Sequence, residues 1–393
     1  MIMSSELDIF GGIIAKNNVW DRSVKVEENG YYWKKIPFIQ EGSLPATVNS
    51  PLVVELFCGC GGTSLGFEMA GFEIAIGCDI HIPSINTFKR NHPNAFTILG
   101  DVKKVDANTI REILGDRQVD VLIGGVPCQG FSLNNRKRHP DDERNNLYKE
   151  FVRFVELLKP KAVVLENVSG MKSTGNYVAK IENELSEAGN MIVKSKLLFA
   201  ADYGVPQSRK RLVFVGIRGK VEFDFQKVIK THGPTTKKAY VTVEEAIGDL
   251  PSLNANSEAT NYDKKASCDY QKAMRKSATL LTNHKAPNHP LDVINKISTT
   301  DPGMPMYPRF KQRIRLAWDK QSPTQVSGGI RPQFQFGHPS DSRGLTIRER
   351  CRIQSFPDTF VVTGGIVQGR VQTGNAVPPF LAKAIALAIK EYL

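Results

Sequence analysis

The chain has 393 residues and a mass of 43.6 kDa, with 41% hydrophobic, 8% aromatic and 23% charged residues, which fits a globular protein with a sizeable core and excludes a disordered or fibrous chain. No stretch has the apolar length of a membrane span, residues 1–50 lack the apolar core and cleavage site of a signal peptide, and six cysteines are too sparse for a disulfide scaffold, so a cytoplasmic protein with reduced thiols is expected. A formal net charge of +12 and an isoelectric point near 9.3 point to a polyanionic partner.

Residues 1–50 hold a basic aromatic patch, Tyr31-Tyr32-Trp33-Lys34-Lys35, but no periodicity, and are read as an extension of unassigned role. From Leu52 to Arg218 short apolar runs alternate with amphipathic stretches, which predicts an α/β fold with a doubly wound, mostly parallel, Rossmann-like sheet. Strands are expected at 52–57, 73–78, 96–99, 119–124, 162–166, 192–199 and 211–217. Helices fall between them: Pro83 suits a first turn, Asp106 can cap another helix, and Lys159-Pro160 ends a long one. From about 251 to 340 the alternation gives way to Asn, Ser, Pro and Lys, with 13 Lys and Arg against 6 Asp and Glu, a net charge of +7. That segment is a loop-rich, basic module and a candidate nucleic-acid face. A helical pattern returns at 346–355, and an apolar helix closes the chain. The expected division is therefore 1–50, 51–250 as the catalytic and cofactor-binding domain, 251–340 as a smaller second domain, and 341–393 returning to the first.

Two strand ends carry chemistry. The run 52–57 leads into Cys58-Gly59-Cys60-Gly61-Gly62-Thr63-Ser64, a strand, glycine turn and helix start where backbone can approach a ligand closely. Asp79 ends the next strand at the distance where a carboxylate accepts hydrogen bonds from ribose hydroxyls. The arrangement fits a nicotinamide cofactor as well as S-adenosylmethionine, and a tight structural turn would read the same way. A phosphate-binding P-loop is disfavoured because no Gly-Lys-Ser or Gly-Lys-Thr follows. Asp101, after the third strand, occupies the same edge and either contacts an adenine amino group or caps a helix. Cys58-x-Cys60 has a zinc-like look, but no second Cys or His pair completes a site, and no metal is expected. The other end is Val119 to Gly124, which breaks on glycines before Val126-Pro127-Cys128-Gln129. Pro127 stiffens the loop, and Cys128 is either a nucleophile or a small buried side chain.

Taken together, these residues resemble the DNA cytosine-5 methyltransferase family, from Leu52 to about Arg218 and again from about Ser322 to the C-terminus. Phe57-x-Gly59-x-Gly61-Gly62 is similar to the family's cofactor motif and Gly125-x-Pro127-Cys128-Gln129 to its nucleophile loop. Glu166-Asn167-Val168 and Gln207-x-Arg209-x-Arg211 are similar to its acidic and basic motifs. Arg348-Glu349 to Phe356-Pro357-Asp358 and Gly374-Asn375-Ala376-Val377-Pro378-Pro379 resemble its two C-terminal motifs. Val126 departs from the pattern, where a second proline is more usual.

The resemblance implies a class I methyltransferase fold, S-adenosylmethionine as cofactor, and double-stranded DNA as substrate. In that reading Cys128 adds to C6 of a flipped cytosine, Glu166 shares a proton with N3, and Arg209 and Arg211 bind the cytosine O2 edge and a phosphate. Phe57, Gly59, Gly61, Gly62, Asp79, Ile80, Asp101, Val102, Pro127, Asn375 and Val377 would form the cofactor pocket. The polar loop 132–144, with Asn134 and Arg136, would close over DNA. Residues 251–340 would read the target, with Arg309, Arg313, Arg315, Thr324, Gly328, Gly329 and Arg331 at guanine edges or phosphates. A monomer paired functionally with a restriction endonuclease is expected. Competing readings are a tRNA cytosine-5 methyltransferase, an inactive DNA-binding relative and a nicotinamide dehydrogenase. The long basic module favours DNA, intact Cys128, Glu166 and Arg211 weigh against inactivity, and the nucleophile loop weighs against a dehydrogenase.

Overall fold

The structure is a computed structural model that describes residues 37–44, 50–127, 146–173, 176–219, 221–327 and 334–393. Two compact units emerge: Lys210–Val228 and Ala382–Leu393 join the residues before Phe199, and Phe199–Arg209 joins Ile229–Leu381.

The first unit is built on an eight-stranded sheet. Its strands are β1 (Phe38–Gln40), β2 (Leu52–Leu56), β3 (Glu73–Asp79), β4 (Phe96–Leu99), β5 (Val121–Gly125), β6 (Ala162–Val168), β7 (Met191–Phe199) and β9 (Lys210–Arg218), in the order β1-β4-β3-β2-β5-β6-β9-β7. The five strands from β4 to β6 run parallel, while β1 and β9 pair antiparallel with β4 and β6. The sheet is thus mostly parallel, as expected, with β9 inserted between β6 and β7. Largely apolar runs explain the central strands: all five residues of β2 are buried, and Leu122, Val163 and Leu165 join the core with Phe151 and Phe154.

Helices α1 (Gly62–Glu68), α2 (Ile82–Asn91), α3 (Ala107–Leu114), α4 (Tyr148–Leu158) and α5 (Tyr177–Gly189) fill the connections. Pro83 lies in the first turn of α2, and Asp106 caps α3 by accepting from Asn108 N at 3.0 Å. Lys159, at φ 47°, ends α4 immediately before Pro160. Lys390, in the last turn of α11 (Pro379–Lys390), donates to Ala70 O at 3.0 Å and ties the chain's end to this unit.

The second unit has little regular backbone pairing. It holds α6 (Val243–Ile247), α7 (Asp269–Arg275), α8 (Leu291–Ser298), α9 (Ile347–Ile353), α10 (Gly365–Asn375) and four two-residue strands, β8 (Gln207–Ser208) with β11 (Ser322–Pro323) and β10 (Ile314–Arg315) with β12 (Phe336–Gly337). Buried guanidinium groups do part of the work that ladders do elsewhere. Arg352 reaches Asp249 at 3.0 Å and Asp358 at 2.6 Å, Arg343 reaches Glu349 at 2.8 Å and Asp341 at 2.7 Å, and Arg348 donates to the carbonyls of Thr282, Pro357 and Phe360.

The units divide the chain elsewhere than the expected 251–340 segment. Val241, Val243 and Ile247 share one apolar core with Tyr270, Leu281, Leu316, Phe336, Leu345 and Ile353, so the segments flanking 251–340 belong to the same packed body. No helix among the described residues is long and apolar enough to cross a membrane.

Candidate active site

In the first unit the chain runs outward from β2 to β3 and β4, then returns to place β5 on the other side of β2. Ligands of open α/β sheets bind in the crevice beyond the carboxyl ends of strands at such a reversal. The residues at that edge follow from the turns that leave it.

Phe57, just past β2, adopts φ 56°, and Gly59 and Gly61 follow at φ 54° and 91°. Three left-handed residues in five fold the turn back on itself, and two of them are glycine, which bears that conformation without strain. Cys58 N donates to Cys78 O at 3.0 Å, and Gly59 N donates to Asp79 Oδ2 at 2.8 Å. Asp79 Oδ1 accepts from His81 N at 2.8 Å, so one carboxylate joins the turns after β2 and β3. A Cβ at Gly59 would meet nothing within 4 Å, whereas one at Gly61 would strike His92 at 2.4 Å. Gly61 is held for packing, and the backbone at Gly59 is open. Asp79 and Ile80 are half-buried, Val102 is buried, and Asp101 accepts from Lys103 N at 3.1 Å as the cap of the turn that follows β4.

Sequence reasoning missed Glu55. This carboxyl, 1% exposed in the middle of β2, accepts from Ser64 N at 3.1 Å and from Ser64 Oγ, anchoring α1 beneath the glycine turn. Burial pushes its pKa up to about 7, against the opposing bonds from Ser64 and Thr63. The run Val53-Val54-Glu55-Leu56 reads as an ordinary strand, and only an unpaired charge in an otherwise apolar run hinted at it.

On the other side of β2, β5 ends at Gly125, which is in register with Glu166 of β6. A Cβ on Gly125 would sit 3.6 Å from Phe57 O and 3.9 Å from Glu166 Oε2, so the ends of three adjacent strands converge there. Val126 is buried and Pro127 exposed. Cys128, Asn134, Arg136, Gly328, Gly329, Arg331 and the loop 132–144 lie outside the described residues. Burial pushes the thiols of Cys58, Cys78 and Cys351 up, and nearby Asp79 adds to the effect at the first two, which makes these three poor thiolates.

Arg211 Nε lies 2.5 Å from Glu166 Oε1, and both side chains are little exposed. Burial pulls the Arg211 guanidinium below its ordinary value, opposed by the adjacent Glu166. Among the described residues no group of three or more His, Cys, Asp or Glu is arranged to hold a metal ion.

The second unit holds the remaining candidates, and three arginines are corrected there. Arg209 is fully buried, its Nη1 donating to Gln325 O at 3.0 Å and its Nη2 to Gly374 O and Ala376 O at 3.0 Å each. Those carbonyls, not a cytosine or a phosphate, use its donors. Arg315, 9% exposed, donates to the carbonyls of His338, Ser298, Thr300 and Ser340 at 2.9–3.2 Å. It braces α8 and β10, and has no reach left for a base edge. Arg313, 1% exposed, stacks 4.6 Å from the Phe310 ring centroid. Sequence alone does not distinguish an arginine that faces water from one that gathers carbonyls. Arg309 and Asn375 are exposed and Val377 is buried, while the Thr324 hydroxyl donates to Ser208 O at 2.8 Å.

Comparison with known proteins identifies the family and the fold. The family profile for the C-5 cytosine-specific DNA methylase spans residues 52–391. The chain is 36% identical over 350 residues to the type II methyltransferase M1.HphI of Haemophilus parahaemolyticus, covering 86% of each chain. It is 34% identical over 380 residues to the type II methyltransferase M.DdeI of Desulfomicrobium norvegicum, covering 86% of this chain and 88% of that one. Among solved structures, a protein described as a DNA modification methyltransferase encoded within an E. coli prophage superposes with a TM-score of 0.74 at 26% identity, covering 87% of this chain and 99% of that one.

Proposed function

Because the chain belongs to the C-5 cytosine-specific DNA methylase family and is a DNA cytosine-5 methyltransferase of the restriction-modification type, we propose that it modifies one cytosine of a specific duplex sequence through a covalent Cys128 adduct. The observation that carries this reading is the Glu166–Arg211 pair beside the end of β5, three residues before Cys128.

The cofactor reading rests on the turn at Gly59, with its open backbone, and on Asp79 beside it. These residues fit S-adenosylmethionine, which supplies an electrophilic methyl group when bound. Phe57, Gly61, Gly62, Ile80, Asp101, Val102 and Pro127 would complete the pocket, and Asn375 and Val377 are proposed as further cofactor residues from the family resemblance.

Cytosine C5 is too weak a nucleophile to take a methyl group unaided. In our reading the Cys128 thiolate adds to C6, Glu166 shares a proton with N3 as charge builds there, and Arg211 holds the Glu166 carboxyl in place. C5 then takes the methyl group, loses its proton, and Cys128 is eliminated. The base must leave the stack for this to happen. A cognate endonuclease cutting the same unmodified sequence would be its functional partner.

A duplex bearing 5-fluorocytosine at the target tests the mechanism, because fluorine blocks loss from C5 and traps the adduct. Mass spectrometry should map that adduct to Cys128; an adduct elsewhere, or none on an active enzyme, overturns the assignment. Bisulfite sequencing of DNA from expressing cells should reveal a methylated sequence. Methyl transfer to tRNA with none to duplex DNA would move the substrate to RNA.

A further inference from the structure

The corrected position of Arg209 raises the question of what a fully buried guanidinium is doing at the meeting of two loops. Its Nη1 holds Gln325 O, and its Nη2 holds Gly374 O and Ala376 O, all at 3.0 Å. Gln325 lies in the segment 322–327 that leads into the candidate target-reading loop. Gly374 and Ala376 flank Asn375, a candidate cofactor residue. No strand ladder joins the two segments. Side chains and packing join them.

Three further observations tighten the link. Gly374 is pressed against the other segment: a Cβ there would fall 2.3 Å from Ser327 N and 2.3 Å from the Val326 carbonyl carbon, backbone atoms that cannot swing aside. Gln207 Oε1 accepts from Gln325 N at 3.0 Å, while Gln207 Nε2 donates at 3.0 Å to Gln354 Oε1, and Gln354 Nε2 in turn donates to Thr373 O at 2.6 Å. Arg350 Nε donates to Thr373 Oγ1 at 2.9 Å and its Nη2 to Val326 O at 3.3 Å. The segments 325–327 and 373–376 therefore share one buried polar network in which a shift of either moves partners of the other.

We propose that Arg209 is a positioning residue that couples target recognition to cofactor binding by fixing the 325–327 backbone against the Asn375 turn. The proposal rests on the functional reading above, since it takes Asn375 as a cofactor residue and 322–327 as part of the target-reading segment. Energetic coupling is reciprocal, so each ligand must change the affinity for the other by the same factor. A merely structural Arg209 would lower stability without altering that factor.

The test is a binding cycle on the full chain. Affinity for S-adenosylmethionine is measured by calorimetry alone, with a duplex carrying the bisulfite-mapped site, and with a duplex lacking it, in wild type, Arg209→Lys and Gly374→Ala. Wild type should bind cofactor about tenfold tighter with the target duplex than without it, within the usual range of such couplings, and the duplex lacking the site should give less. In Arg209→Lys, which keeps the charge but not the fork, the factor should fall toward one while cofactor affinity without DNA changes less than about threefold. Gly374→Ala, which wedges the segments apart at their backbones while leaving every side chain of the network in place, should lower the factor as well. An unchanged factor in both folded variants refutes the proposal, as does a wild-type factor of one in an active enzyme, and that second result leaves the function standing. A wild type that neither binds cofactor nor transfers methyl groups to DNA overturns both.

Discussion

Glu166 and Arg211 meet diagonally across an antiparallel strand pair. Arg211 lies opposite Val168 in the register of β6 and β9, and Glu166 lies opposite Val213, so the two share a face two residues apart and close to 2.5 Å. The contact depends on β9 running antiparallel.

Arg211→Ala should leave the Glu166 carboxyl at the strand end without its cation. Single-turnover methyl transfer is expected to fall by roughly two to four decades, the scale of losing a positioned acid or base. Glu166→Gln should cost a similar amount, and the double variant much less than the product, because each change removes the same unit. Multiplicative losses in rapid-quench measurements would mean that the residues act independently.

Glu55 makes stability depend on pH. Its carboxyl titrates at about 7 in the fold against 4.5 as its ordinary value, because burial disfavours the charge. Between those values the folded protein keeps a proton that the unfolded chain has released. Stability is thus fully present below pH 4.5 and falls as pH rises toward 7, by up to roughly 3 kcal/mol. Glu55→Gln removes this slope, so the stability of the variant relative to wild type should increase across that window in urea titrations. A difference that stays flat from pH 4.5 to 7.5 would show that Glu55 does not titrate there.

Arg315→Ala should destabilise rather than relax specificity. Four carbonyls lose their donor in a buried setting, which places the cost at about 2–4 kcal/mol. Denaturant midpoints should shift, while the methylated sequence read by bisulfite stays the same in the fraction that folds. A variant of wild-type stability that methylates additional sequences would return Arg315 to the DNA.

Seven of the first unit's eight strands were legible because each is a short apolar run bounded by a turn residue: 96–99 is found as expected, and 162–166 extends only to Val168, whereas β1, the three residues Phe38–Gln40, lies in the segment read as an extension without periodicity. The glycine turn was legible from its residues, and the acidic and basic motifs through the family resemblance. What sequence could not convey is where long polar side chains end. Arg209 and Arg211 stand two residues apart, yet one gathers carbonyls and the other meets a carboxylate. Likewise the second unit's limits depend on Val243 and Ile247 packing with Leu345 and Ile353, about a hundred residues further on, and periodicity reports only local order.

That core decides how specificity can be transplanted. Exchanging residues 251–340 with a relative of different target cuts across the packed body. The Tyr270 hydroxyl donates to Arg352 O at 2.5 Å, the Tyr262 hydroxyl to Asp358 Oδ2 at 2.6 Å, and His284 Nδ1 lies 3.0 Å from Thr346 Oγ1, each pair spanning the proposed cut. Mismatched partners would lose these buried bonds, each at a cost of about 1–3 kcal/mol. The 251–340 chimera should therefore melt roughly 10 °C or more below either parent. Exchanging 229–381 keeps these pairs together, and the bonds Arg209 makes to Gln325, Gly374 and Ala376 go to backbone carbonyls, which the incoming chain also provides. That larger chimera should fold, retain Cys128-dependent transfer, and methylate the donor's sequence. If it is stable and active but still methylates the original site, target recognition does not lie in the second unit; if the smaller chimera melts like its parents, the shared core does not set the boundary.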